Sequence, residues 1–234
     1  MKKIIFSIIL MLCFGFNANA ERGINAGVTL LYGAFDVTGA SEKLAAGHTS
    51  GAGSAATVNA NSEQENAEGE FGLGSIFLEK TLGDRLALGV DFVPMAADSE
   101  TVENKTNVAG SRTAGTGVDG ALTNTVQVEF ENLTTAYAML NLGPIYLKAG
   151  LMTVDVNTNE SLGTGGAYGN TSLDGTMYAL GINREFDNGA FVRLEGSVME
   201  FDGVELTNQN DSTKSVKVDG IDGYGARISI GKSF

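Results

Sequence analysis

The last eleven residues, Tyr224-Gly-Ala-Arg-Ile-Ser-Ile-Gly-Lys-Ser-Phe234, alternate in polarity along most of their length. Tyr224, Ala226, Ile228 and Ile230 fall on one face, and Gly225, Arg227, Ser229 and Gly231 on the other. A period of two is the side-chain period of a β-strand, with one apolar and one polar face.

The same pattern recurs upstream. Ile24, Ala26, Val28, Leu30, Tyr32 and Ala34 share one face of a first segment. Leu86, Leu88, Val90 and Phe92 alternate with Ala87, Gly89 and Asp91, and Arg85 extends the second of those faces. Val192, Leu194 and Val198 oppose Arg193, Glu195 and Ser197. Four less regular segments, Glu70–Leu82, Thr125–Asn141, Ile145–Val156 and Leu173–Phe186, bring the expected strands to eight. In Thr125–Asn141 the apolar face switches near Asn132–Leu133, which calls for a bulge.

The connections differ in length. Residues 82–85, 141–144 and 187–189 are tight, and the Gly-Asp and Asn-Gly pairs among them are the chemistry of hairpins. Residues 37–69, 95–124, 157–172 and 203–220 read as long loops rich in Gly, Asn, Ser, Thr and Ala. In an antiparallel up-and-down order, the turns share one end and the loops the other.

The N-terminus reads as an address. Lys2 and Lys3 precede the apolar run Ile4–Phe16, and Ala18-Asn19-Ala20 is an A-x-A site, so residues 1–20 are expected to be a cleaved signal peptide. Residues 21–234 are then one domain. The only cysteine, Cys13, leaves with the signal, and the net charge falls from −13 to −15 as Lys2 and Lys3 go. Glycine, at 32 of 234 residues, argues against a helical bundle, and the acidity against nucleic-acid binding.

After residue 20 no run of 18 apolar residues exists, so a membrane could be crossed only by strands. Asp91, Arg193, Glu195 and Arg227 stand in mid-strand on the polar faces, which suits a polar interior and an apolar exterior. In hydrocarbon an open sheet edge is costly, so the eight strands are expected to close. The expectation is an all-β fold: an eight-stranded antiparallel transmembrane β-barrel with short periplasmic turns and long extracellular loops.

The terminal strand carries a resemblance. Tyr224, Ala226, Ile228, Ile230 and Phe234 look like the C-terminal strand of bacterial outer-membrane β-barrel proteins, which ends in an aromatic and is read by the barrel assembly machinery; Lys232 departs from that pattern. The chain as a whole resembles the small eight-stranded family of the OmpA membrane domain, OmpX, OmpW and opacity-type proteins. That resemblance implies a place in the outer membrane of a Gram-negative bacterium, among lipid and lipopolysaccharide.

Glu79, Arg85, Asp91, Lys148, Arg193, Glu195 and Arg227 are the expected lumen charges. Eight strands leave a space that side chains fill, so these charges should pair and plug it. Residues 36–70, 95–131, 155–174 and 200–222 hold 21 acids and five bases. Such loops attract divalent cations, although none has the spacing of a calcium loop, and no dedicated metal or cofactor is expected.

His48 is the one histidine, in Gly47-His48-Thr49-Ser50. A His-x-Ser pair is similar to one used by some outer-membrane lipid A deacylases. It needs a rigid position beside lipid, and the stretch AAGHTSGAGSAA reads as a loop, so an enzyme is not expected. The sequence therefore points to a structural or surface-interaction protein. A small porin or channel for hydrophobic or cationic solutes, as the OmpW resemblance implies, is the alternative, and a lipid A-modifying enzyme the third reading.

Overall fold

The computed structural model describes residues 23–43, 48–50, 65–98, 102–108, 121–162, 166–210, 212 and 214–234. The expected signal peptide lies outside them. The elements in chain order are β1 (Ile24–Lys43), β2 (His48–Ser50), β3 (Glu65–Leu82), β4 (Leu86–Phe92), β5 (Ala97–Asp98), β6 (Val102–Val108), β7 (Ala121–Leu142), β8 (Ile145–Leu162), β9 (Thr171–Glu185), β10 (Ala190–Thr207) and β11 (Ser215–Ser233).

Eight of these form a ring. Around it run β1, β3, β4, β7, β8, β9, β10 and β11, which pairs again with β1, and every pairing is antiparallel. β5 and β6 continue the line of β4 along β7, and β2 pairs with the end of β6. The interruption after β4 falls at Pro94, which has no N–H to give to a ladder. Turns at residues 83–85, 143–144 and 187–188 lie at one end, with Gly83, Gly143 and Gly189 at φ of 67°, 79° and 80°. Side chains with a Cβ rarely adopt those values.

The alternation settles which face is outside. In β1, Leu30 is 69% exposed while its neighbours Thr29 and Leu31 are each 3% exposed. Val28, Ile76, Leu78, Leu147, Leu180, Ile182, Leu194, Ile228 and Ile230 all face outward and are exposed. Glu79, Asp91, Arg193, Glu195 and Arg227 are buried inside. A closed ring that shows an apolar belt and buries its charges is built to stand in hydrocarbon.

The polarity then inverts along the barrel axis. One cross-strand row joins the outward Tyr178, Val198, Tyr224 and Ala34. The next row toward the loop end joins Thr176, Glu200, Asp222, Asp36 and Glu68. From that level the carboxylates face out, while Val154, Val156 and Leu173 are buried inside against Phe130, Leu133, Phe201 and Ile221. The upper wall is thus organised like a water-soluble barrel. β10 runs on for eight residues from Glu200 to Thr207, about 25 Å along the strand.

This accounts for the main departure from the sequence reading. β8 reaches Leu162, β10 reaches Thr207 and β11 begins at Ser215, inside stretches expected to be loops. Their charged and small polar residues form the wet face of a strand whose other face is apolar. Of the aromatics toward the strand ends, Tyr32, Phe186 and Phe234 face outward. Phe35 and Phe71 instead stack inside the barrel, with centroids 6.4 Å apart. The switch in β7 is a bulge: its register with β8 shifts between Glu131 and Thr134, and Asn132 has φ 56°.

Room for side chains in so narrow a ring comes from glycine. Tyr137 lies directly across from Gly89, Tyr146 from Gly181, Phe191 from Gly231, Phe77 from Gly27 and Phe71 from Gly33. In each pair the ring covers its glycine; a Cβ on Gly181 would stand 2.3 Å from the Tyr146 ring, and one on Gly89 2.5 Å from the Tyr137 ring. Gly181→Ala should therefore lower stability by about 1–3 kcal/mol, the usual cost of overpacking. Gly72, where an added Cβ meets nothing within 4 Å, is the control, and Gly72→Ala should change stability by less than about 0.5 kcal/mol. Urea unfolding of the refolded barrel in detergent measures both.

Candidate functional site

The site is the barrel interior at mid-height. β3 and β10 bring Glu79 and Arg193 together although 114 residues separate them in sequence. Arg193 donates from Nη1 to Glu79 Oε1 at 2.5 Å and from Nη2 to Oε2 at 2.8 Å, a two-pronged contact that fits guanidinium to carboxylate. Tyr137 donates its hydroxyl to Oε1 at 2.8 Å, and Asn25 donates its amide to Oε2 at 3.1 Å. Both Glu79 oxygens are thus satisfied, and the residue is 1% exposed. Phe191 stacks under the guanidinium, 4.4 Å from its ring centroid.

A second cluster adjoins the first. Lys148 on β8 donates to Glu195 Oε2 at 2.5 Å, and Tyr146 donates its hydroxyl to the same oxygen at 3.0 Å. Arg227 on β11 spans two acids, with Nε 3.6 Å from Glu195 Oε1 and Nη1 3.6 Å from Asp91 Oδ1. These are ion pairs without a direct hydrogen bond. Ser75 donates to the other Asp91 oxygen at 2.9 Å. Three carboxylates and three cations therefore share one layer, where isolation of any one charge would be costly.

Glu79, Asp91, Lys148, Arg193, Glu195 and Arg227 all lie inside and meet in these two clusters. Arg85 does not join them. It keeps the alternation of the inward face, but it falls in the turn before β4 begins and its side chain is exposed. Tyr224, Ala226, Ile228 and Ile230 line the outward face of β11, with Phe234 exposed just beyond its end. His48 is in strand β2, not a loop, paired with Val108. That position is at the far loop end, away from the apolar belt.

Sequence reading missed the neutral partners Asn25, Ser75, Tyr137 and Tyr146. A usable signal was an inward tyrosine matched to an inward glycine on the next strand. It also missed the layer above the charges, where Met152, Met177 and Met199 pack together with Phe71, Leu133 and Phe201. Among the described residues no group of three or more His, Cys, Asp or Glu is placed to hold a metal ion. Above the membrane, Lys217 pairs with Asp219 at 2.6 Å, which holds the ammonium pKa above its ordinary value.

No family model matches the chain, and no curated protein matches it. Solved structures share its architecture. The outer-membrane protease OmpT of Escherichia coli is 11% identical with TM-score 0.41, over 92% of this chain and 99% of that one. Ail, the attachment invasion locus protein of Yersinia pestis, is 9% identical with TM-score 0.40, over 92% and 100%. OprG of Pseudomonas aeruginosa is 12% identical with TM-score 0.41, over 90% and 97%. These likenesses are distant, and the barrel reading rests on the closed antiparallel ring and its exposed apolar belt.

Removing one member of the Glu79–Arg193 pair strands the other. Arg193→Met should destabilise the barrel by about 3–5 kcal/mol. The double variant Glu79→Leu with Arg193→Met should lose less than the sum of the two single changes, because neither charge is left alone. A double-mutant cycle by urea unfolding gives the coupling directly.

Proposed function

We propose that this chain is a closed, non-catalytic scaffold of the bacterial outer membrane whose working surfaces are its extracellular rim and its lipid-facing wall. The observation that carries this reading is the obstructed interior. The paired charges fill one layer and Met152, Met177 and Met199 fill the next, so a solute moving along the axis meets two packed layers. Glu79, Asp91, Lys148, Arg193, Glu195 and Arg227 are engaged with one another, so among the described residues of this layer the charges serve each other.

The expected partners follow from position. The apolar belt meets lipid, the acidic rim meets divalent cations and the lipopolysaccharide they bridge, and the outward residues of β11 with the terminal Phe234 serve recognition by the assembly machinery. A channel for hydrophobic solutes is the second reading, favoured by the apolar interior of the upper wall. It requires the methionine layer to part.

Single-channel recording in a planar bilayer separates the two. The refolded barrel, shown to be inserted by its heat-modifiable band, should give no unitary openings. Discrete openings that change on Glu195→Gln would overturn the scaffold and make the interior a conduction path.

A further inference from the structure

Five methionines follow the expected signal peptide, and three of them meet inside the barrel. Met152 on β8, Met177 on β9 and Met199 on β10 come from consecutive strands, and each is buried. Met199 lies directly across from Met177. Met177 faces Gly150 and Met152 faces Gly175, so these two are diagonal neighbours with no side chain opposed to either on their shared ladder. Opposed and diagonal positions are both within reach of so long a side chain. The methyl of Met199 is turned toward β11, where a Cβ added to Gly223 would stand 3.2 Å from it. β11 and β9 flank β10 on opposite sides, so that methyl does not come between the Met199 sulfur and Met177.

Three thioethers in one layer fill space, and they are also a set of donors. A thioether is neutral and polarisable. Calcium and magnesium take oxygen instead, and zinc takes nitrogen, oxygen or charged thiolate. Thioether sulfur selects copper(I), and silver(I), with the same filled d shell, behaves alike. No cysteine or histidine competes at this level: Cys13 lies in the expected signal peptide, and His48 is in β2 at the far loop end. Copper(I) held by neutral sulfurs keeps its positive charge. Phe71 and Phe201 pack against the methionines, and aromatic rings attract a cation. Lys148, on the same strand as Met152, is neutralised by Glu195.

We propose that Met152, Met177 and Met199 form a site in the lumen for one soft monovalent cation, copper(I). The layer stands on the loop side of the paired charges, so the ion enters from the loop end, where the acids of the rim concentrate cations. The inference goes beyond the scaffold reading and does not depend on it.

The test uses the refolded barrel in detergent. Copper(I), kept reduced with ascorbate, is titrated in competition with a chromophoric copper(I) chelator, and silver(I) nitrate is followed by native mass spectrometry. The wild type should bind one ion per barrel, with sulfur as the only neighbour of copper in X-ray absorption. Met177→Leu conserves volume and should weaken binding by about tenfold or more while the heat-modifiable band is unchanged. Replacing all three methionines with leucine should abolish binding; Met152→Leu and Met199→Leu serve singly if the triple variant does not refold. Met139→Leu alters a methionine buried in another cluster, beside Tyr137 and Tyr146, and should bind as the wild type does. Silver(I) should raise the unfolding temperature of the wild type and not of Met177→Leu, since a ligand stabilises only the state that binds it. A folded wild type that retains no ion, undiminished binding by the folded leucine variants, or equal binding of zinc(II) would each overturn the proposal. Bilayer recording is a separate readout: a conducting barrel that still binds copper(I) through these sulfurs overturns the scaffold and leaves the metal site standing.

Discussion

Closure of the ring is the constraint on which everything else depends. Hydrocarbon offers no partner to a free N–H or C=O, so the first strand of the ring must meet the last. β1 pairs with β11 from Asn25 with Ser233 to Lys43 with Ser215. Once eight strands close, the interior is narrow, and two consequences follow. Any charge that turns inward has to find an opposite charge within a side chain's length, as Arg193 finds Glu79. At the charged layer the inward rings find neighbours without a side chain, as Tyr137 finds Gly89 and Tyr146 finds Gly181. The high glycine content is thus the counterpart of the aromatic content. The same rings deliver the hydroxyls that satisfy Glu79 and Glu195, which joins packing to electrostatics in a single layer.

The inversion of polarity extends this logic beyond the membrane. The ladder has no reason to stop where the bilayer stops, but the solvent on its outer face changes from lipid to water. Side chains follow the solvent. Below the Tyr178–Val198–Tyr224 row the outer face is apolar and the inner face charged; above it Glu200, Asp222 and Asp36 face out, and Leu173, Phe201 and Ile221 face in. One continuous strand serves two environments by exchanging which parity carries the apolar residues. The exchange comes at the same level on several strands, so the sequence records the position of the membrane surface.

The barrel was legible because its signal is local. Alternation at 24–34, 86–92, 192–198 and 224–230 assigns each residue a face without knowledge of its partner, and the switch at Asn132–Leu133 marks the bulge for the same reason. Position along the axis was less legible. Arg85 shares its parity with Asp91, but the turn takes it out of the lumen, and parity alone does not show where a ladder ends. The upper strands were read as loops because Asn, Thr, Ser and acidic residues dominate their composition, and composition hides the apolar parity beneath. The pairings in the lumen were beyond local reading. Glu79 and Arg193 meet only through the order and stagger of strands far apart in sequence, and their neutral partners carry no charge pattern to announce them.

Neutralising a charge inside and displaying charge outside are two solutions to one electrostatic problem. Within the lumen each acid has a base at hand, because a side chain confined there has no solvent to turn to. On the wall at the membrane surface the acids of Glu200, Asp222 and Asp36 stand beside one another with no protein cation in the same row. Retaining such a row at the lipid head groups costs stability unless something outside the chain compensates it. The interior thus balances its own charge side by side, whereas the row at the upper wall leaves like charges opposed across the strands.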